Sequence, residues 1–150
     1  MKTILQIVTV CLALLSASAY GDRVPTTLSA QSPYDMKTTI ENLEQAIAAH
    51  QYRVVRVQGA YQGFAPLNGG PVIIYFCNFN FLHEALQKSM DLGPMLPCRV
   101  VIDDVNGKIM VYAPNPVVFK HVLAGDSTFL DKLCDQVTHD YKAILAEGTL

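Results

Sequence analysis

The chain has 150 residues, with 11 Lys and Arg against 13 Asp and Glu and a formal net charge of −2 with histidines neutral. Its bases are scattered, with no basic run interleaved with aromatics, which excludes an electrostatic nucleic-acid groove and a polybasic membrane-surface segment. At 51 % hydrophobic residues, a chain of this length is one domain of ordinary size with enough apolar material for a true core.

Residues 1–19 have the form of a cleaved secretory signal: Lys2 supplies a small positive region, Ile4 to Leu15 an apolar run, and Ala17-Ser18-Ala19 a cleavage site. Removal of that segment leaves a single domain, 20–150, beginning at Tyr20 and one unit more negative, and the expected location is periplasmic or secreted. The apolar run is about a dozen residues, short of the roughly 20 that span a bilayer, and no later run is longer, so no membrane span is expected. Cys11 lies inside that run, with no small-residue box setting a cysteine at the cleavage point, so no lipid anchor is read.

Arg23 to Ala30 alternates Val24, Thr26 and Leu28 around Pro25, which predicts a first strand at a sheet edge. Ser32-Pro33-Tyr34-Asp35 predicts a helix start with Ser32 as N-cap and Pro33 at the first helical position. Met36, Ile40, Leu43 and Ile47 give that helix one apolar face, and His50 at its end suits the helix dipole. Tyr52 to Gln58 follows as a second strand, and the glycine-rich stretch Gly59 to Gly70 is a hairpin loop without the strand-glycine-helix order of a phosphate fingerprint. Val72 to Cys77 is short, continuous and β-branched or aromatic, which predicts a strand, expected at the centre of the sheet.

A helix over Phe79 to Met90, capped by Asn78 or Asn80, buries Phe81, Leu82, Ala85 and Leu86. Asn106-Gly107 between two apolar runs supplies the two positive-φ residues of a type I′ hairpin, setting Ile102 opposite Val111 and Val101 opposite Tyr112. Asn115-Pro116 opens a short helical turn through Leu123, and Gly125-Asp126-Ser127 caps a last helix. Its stripe of Phe129, Leu133, Val137, Tyr141 and Ile144 must pack on the sheet, with Cys134 on the same face as a buried, inert thiol. This order of elements predicts an α+β two-layer sandwich, a mixed and mostly antiparallel sheet with helices on one face. The other face carries Val101, Met110 and Tyr112, too apolar for water, so a homodimer closing on that face is expected.

The candidate chemistry is sparse. Cys77-Asn78 ends a strand and begins a helix, and two readings stand: a thiolate whose pKa the helix N-terminus lowers, or a small residue filling a corner. Cys98 opens the following strand. If the two strands are parallel neighbours, the two cysteines lie roughly 15 to 20 Å apart at about 3.3 Å per residue, beyond the Cα separation of about 7 Å that a disulfide tolerates. Met90, Met95, Cys77 and Cys98 are soft ligands of the kind that select copper(I), without tight spacing, and Met90 and Met95 also suit simple packing. The mature chain's cysteines, Cys77, Cys98 and Cys134, are odd in number, so at least one stays free or pairs outside the chain. There is no C-x-x-C, C-x-x-C-H or H-E-x-x-H; His83, His121 and His139 lack zinc spacing; Asp103-Asp104 is expected to be solvated. The residues name no cofactor and no recognisable enzyme.

With Cys77-Asn78 and Leu96-Pro97-Cys98-Arg99-Val100-Val101 in view, the chain resembles the bacterial and archaeal family catalogued as domain of unknown function 302, from about Tyr34 to Tyr141. That family's pattern is an N-terminal helix, a strand ending in Cys-Asn-Pro or Gly-Asn-Pro, a helix, Leu-Pro-Cys or Leu-Pro-Leu leading into the next strand, and a glycine hairpin. On this resemblance Asn78, Gly93, Leu96, Pro97 and Gly107 carry the motif in structural roles. Phe79 stands where the family usually has proline, and other residues fill both cysteine positions in many relatives. The resemblance implies the same two-layer fold and makes dimers plausible, and it implies no activity. Two functional expectations follow: a non-catalytic exported binding or interaction domain, with its small-molecule or protein ligand unspecified, or a thiol-based copper(I) or redox protein using Cys77 and Cys98, with Met95.

Overall fold

The computed structural model describes residues 24–61, 70–96, 98–120 and 127–150. The expected signal segment, most of the loop after Gly59, Pro97 and the Gly125-Asp126 part of the expected cap lie outside the described residues.

Five strands form one sheet: β1 (Thr27–Ser32), β2 (Arg53–Gly59), β3 (Val72–Cys77), β4 (Cys98–Val105) and β5 (Lys108–Pro114). Their order is β1-β5-β4-β3-β2, and every neighbouring pair is antiparallel. The sheet is therefore antiparallel throughout rather than mixed, and its central strand is β4, not β3. The cause is the β4–β5 hairpin, to which β1 adds on one side and β3 on the other. In the hairpin Asn106 and Gly107 have φ of 56° and 79°, with Val105 opposite Lys108, Ile102 opposite Val111 and Val101 opposite Tyr112. Asp104 is more than solvated: its carboxylate accepts the Gly107 N–H at 2.7 Å and braces the turn.

β1 is an edge strand, as expected, but begins at Thr27 rather than Arg23. Ahead of it the chain is held outside the ladder by Asn115, whose Nδ2 donates to the Pro25 carbonyl at 2.7 Å and whose backbone N–H donates to the Thr26 carbonyl at 2.9 Å.

Three α-helices cover one face: α1 (Met36–Ala49), α2 (Phe79–Lys88) and α3 (Ser127–Gly148). Ser32 does not cap α1. It still belongs to β1, paired with Ile109, and its buried hydroxyl bonds Thr39 Oγ1 at 2.7 Å. Asp35 caps instead, accepting the Thr38 N–H at 2.7 Å, and this bond holds its carboxyl below the ordinary value. At its other end α1 stops in a Schellman-type turn: Gln51 takes φ 64°, the Gln51 N–H donates to Ala48 O, and the Tyr52 N–H donates to Ile47 O. That turn sends the chain into β2 after almost no loop.

The main core joins Leu43 and Ile47 of α1, Ile74 and Phe76 of β3, Val100 and Ile102 of β4, Val111 of β5 and Ile144 of α3, all essentially inaccessible. Where α1 and α3 meet, a Cβ on Gly148 would lie 2.5 Å from Leu43 Cδ2, so only glycine lets the helices approach this closely. A second cluster joins Ala85, Leu92, Leu130 and Leu133 beneath α2. No described helix is long and apolar enough to cross a membrane. On the opposite sheet face, Ile73 sits opposite Val101 and Val101 opposite Tyr112, and these residues, with Tyr75 and Met110, are half-buried.

Candidate functional site

The site grows from the antiparallel pairing of β3 with β4. Phe76 is the partner of Cys98, so β3 ends and β4 begins at the same end of the sheet. The chain makes the return through α2 and a 3-10 segment (Met90–Met95), which together bring it back instead of carrying it over to a parallel neighbour. The parallel arrangement, with cysteines 15 to 20 Å apart, does not occur. Cys77 instead lies one residue beyond the partner of Cys98 on the neighbouring strand.

α2 starts at this corner because Asn78 caps it, its Oδ1 accepting the Phe81 N–H at 3.3 Å. Between α2, α3 and the sheet end lies a cavity of about 90 Å³. Cys77, Asn78, Met95 and Cys98 all line it, as does Leu96. Gly93 lies in the 3-10 segment and Gly107 in the distant hairpin, so the family-motif residues do not form one site. Met90 is 74 % exposed and does not join the other soft side chains, because α2 ends at Lys88 and leaves it on the outer turn.

Three cavity residues were not legible as site residues in the sequence: Tyr52, Cys134 and Tyr141. Tyr141 sits on the apolar stripe of α3, and a tyrosine there signals a hydroxyl that needs a partner. It finds one in the Arg99 backbone N–H, which donates to it at 3.0 Å. The Tyr52 hydroxyl donates to Asp140 Oδ2 at 2.7 Å, and Gln136 Nε2 donates to Asp140 Oδ1 at 2.8 Å. The ring of Phe76 meets both tyrosines edge-on, at centroid distances of 5.5 Å from Tyr52 and 5.7 Å from Tyr141. These contacts fix both phenols.

Burial dominates the electrostatics. It pushes the Cys98 thiol up to about 11 and raises Cys77 and Cys134 as well. Of the two readings of Cys77, a thiolate with a lowered pKa and a small residue filling a corner, the upward shift caused by burial favours the second. Burial, with Asp140 beside Tyr52 and Cys98 beside Tyr141, holds both phenols protonated far above the ordinary tyrosine value. The three described cysteines are free, and burial raises each thiol, so none of them is a poised nucleophile. Among the described residues no three His, Cys, Asp or Glu side chains lie close enough to share a metal ion. A polar groove adjoins the cavity, sharing Tyr52, Asn78 and Phe81 with it and adding His50, Gln51, Gln136 and Asp140.

The fold and site together define a small α+β sandwich with a pinched apolar cavity at one end of its sheet. The chain belongs to the family described as domain of unknown function DUF302, which it matches over residues 28–148. Among solved structures it is similar to the crystal structure of an uncharacterised conserved DUF302 protein from Bacillus stearothermophilus, with a TM-score of 0.73 and 19 % identity, covering 83 % of this chain and 98 % of that one. At that identity the likeness concerns the fold. No curated protein matches the chain.

Proposed function

We propose that this is a non-catalytic binding protein whose ligand is a small amphiphile, with a short apolar end in the cavity and a hydrogen-bonding head in the adjoining groove. The observation that carries this reading is the cavity's apolar lining next to a groove bearing His50, Gln136 and Asp140. Apolar concavities with a few converging polar groups are where small ligands bind. The volume of about 90 Å³ sets the scale. It is far below the roughly 300 Å³ at which drug-sized pockets begin, so only a few heavy atoms enter. Burying about four methylenes at about 0.8 kcal/mol each supplies about 3 kcal/mol, which with a hydrogen-bonded head gives a Kd on the order of millimolar.

NMR titration with butylamine and butanol tests this. Shifts confined to cavity and groove residues, and lost in Leu82→Trp, are expected; shifts that persist in Leu82→Trp, or none at 50-fold excess over protein, refute it.

Export fits the signal pattern of residues 1–19, and a homodimer fits the apolar row Ile73, Val101, Tyr112 on the face away from the helices. A second reading, a thiol-based protein using Cys77 and Cys98, is favoured by the place of both residues in the lining of one cavity.

A further inference from the structure

We infer that the open face of the sheet, away from the helices, binds a small aromatic phosphate monoester where Arg53, Arg56 and Arg99 gather around Tyr75. This site goes beyond the amphiphile and thiol readings and depends on neither.

Strand pairing gathers what the sequence scatters. Arg56 of β2 lies opposite Tyr75 of β3, and Tyr75 lies opposite Arg99 of β4, so the three residues form one row across three strands. Ile74, Phe76 and Val100 are buried in the core, so alternation turns Tyr75 and Arg99 to the open face, and Arg56 shares the face of its partner. Arg53, opposite Cys77, stands beside that row. A β-bulge brings the two β2 arginines together. Val54 pairs with Phe76 and Arg56 with Tyr75, which leaves Val55 as an extra residue, 55 % exposed. Val54 packs on the core, and in a regular strand Arg56, two residues on, would point the same way; the bulge re-aims it.

Charge selects the ligand. The chain has a formal net charge of −2, yet three of its four arginines meet on this patch, all of them exposed. No ion pair among the described residues includes any of the three. On β4 the acid that shares their face, Asp103, stands four residues from Arg99, about 13 Å away at about 3.3 Å per residue. Charged side chains on an edge strand guard it against stray pairing, which accounts for Arg53 and Arg56 but not for Arg99, on the central strand. Guanidinium forks recognise carboxylate and phosphate oxygens bidentately. A carboxylate fills one fork, whereas a phosphate monoester, with three acceptor oxygens and close to two negative charges, accepts from forks on both sides of Tyr75. Beyond Tyr75 the same face continues into Ile73 and Val101, half-buried and paired with each other. An aromatic body attached to the phosphate covers the Tyr75 ring and reaches this apolar pair.

The test is NMR titration with phenyl phosphate, with inorganic phosphate, benzoate and phosphatidylglycerol vesicles in parallel. Phenyl phosphate is expected to shift Arg56, Tyr75 and Arg99 and to bind at least about 10-fold tighter than inorganic phosphate or benzoate. Arg56→Gln and Arg99→Gln, both at exposed positions, should each weaken it at least about 10-fold while the core resonances stay in place. Lys108→Gln, which removes the same charge at the hairpin end of the same face, should bind as wild type. Tyr75→Leu should lower phenyl phosphate to the affinity of inorganic phosphate. The proposal is overturned by shifts confined to the cavity and groove, by equal affinity for inorganic phosphate and phenyl phosphate, by an equal loss in Lys108→Gln, or by binding to the vesicles alone.

Discussion

Replacing Tyr141 with phenylalanine isolates one atom at the junction of fold and site. Tyr141 is 3 % exposed, and its ring meets Phe76 at 5.7 Å with an interplanar angle of 74°, a contact that phenylalanine keeps. Only the hydroxyl is lost. It accepts the Arg99 N–H at 3.0 Å, so the variant leaves a part-buried backbone donor without its partner. Stranding a buried polar group costs about 1–3 kcal/mol; because Arg99 lies at the exposed end of β4, the lower half of that range applies, about 1–2 kcal/mol. Urea unfolding reads it directly. With an m-value of about 2 kcal/mol per molar, the middle of the range for small domains, the midpoint should fall by roughly 0.5–1 M while m stays constant. An unchanged midpoint would show that the hydroxyl contributes nothing to holding α3 against β4, and a changed m would mean that the comparison does not measure this bond.

Two further outcomes are expected. The folded-state pKa of Cys98 is raised from 9.0 to about 11, so its contribution is complete below pH 9 and is lost as pH climbs through 11. At about 1.36 kcal/mol per unit this is about 2–3 kcal/mol, visible in thermal melts between pH 8 and 11 and flattened over that window by Cys98→Ala. If the open sheet face closes a homodimer, sedimentation of wild type at micromolar concentration shows a dimer that Val101→Lys combined with Met110→Lys dissociates without unfolding; a wild-type monomer ends the idea.

What could be read locally from the sequence was the part of the fold that short stretches decide on their own. Val72–Cys77 is a strand over the expected residues because its continuous β-branched and aromatic run suits nothing else of that length. The Asn106-Gly107 turn set the β4–β5 register because two positive-φ residues leave one hairpin geometry, and the α3 stripe showed which side of that helix is buried. The tertiary structure decided what depends on distant partners. Ser32 had the right chemistry for a helix cap, but pairing with Ile109 kept it in β1 and handed the cap to Asp35. Whether β3 and β4 run parallel or antiparallel is not written in either strand; it depends on where α2 and the 3-10 segment return the chain, and that return placed Cys98 beside Cys77. The cavity belongs to this second kind. Tyr52 comes from the turn between α1 and β2, and Cys134 and Tyr141 from α3, far away in sequence; they meet only because α3 packs across the end of the sheet.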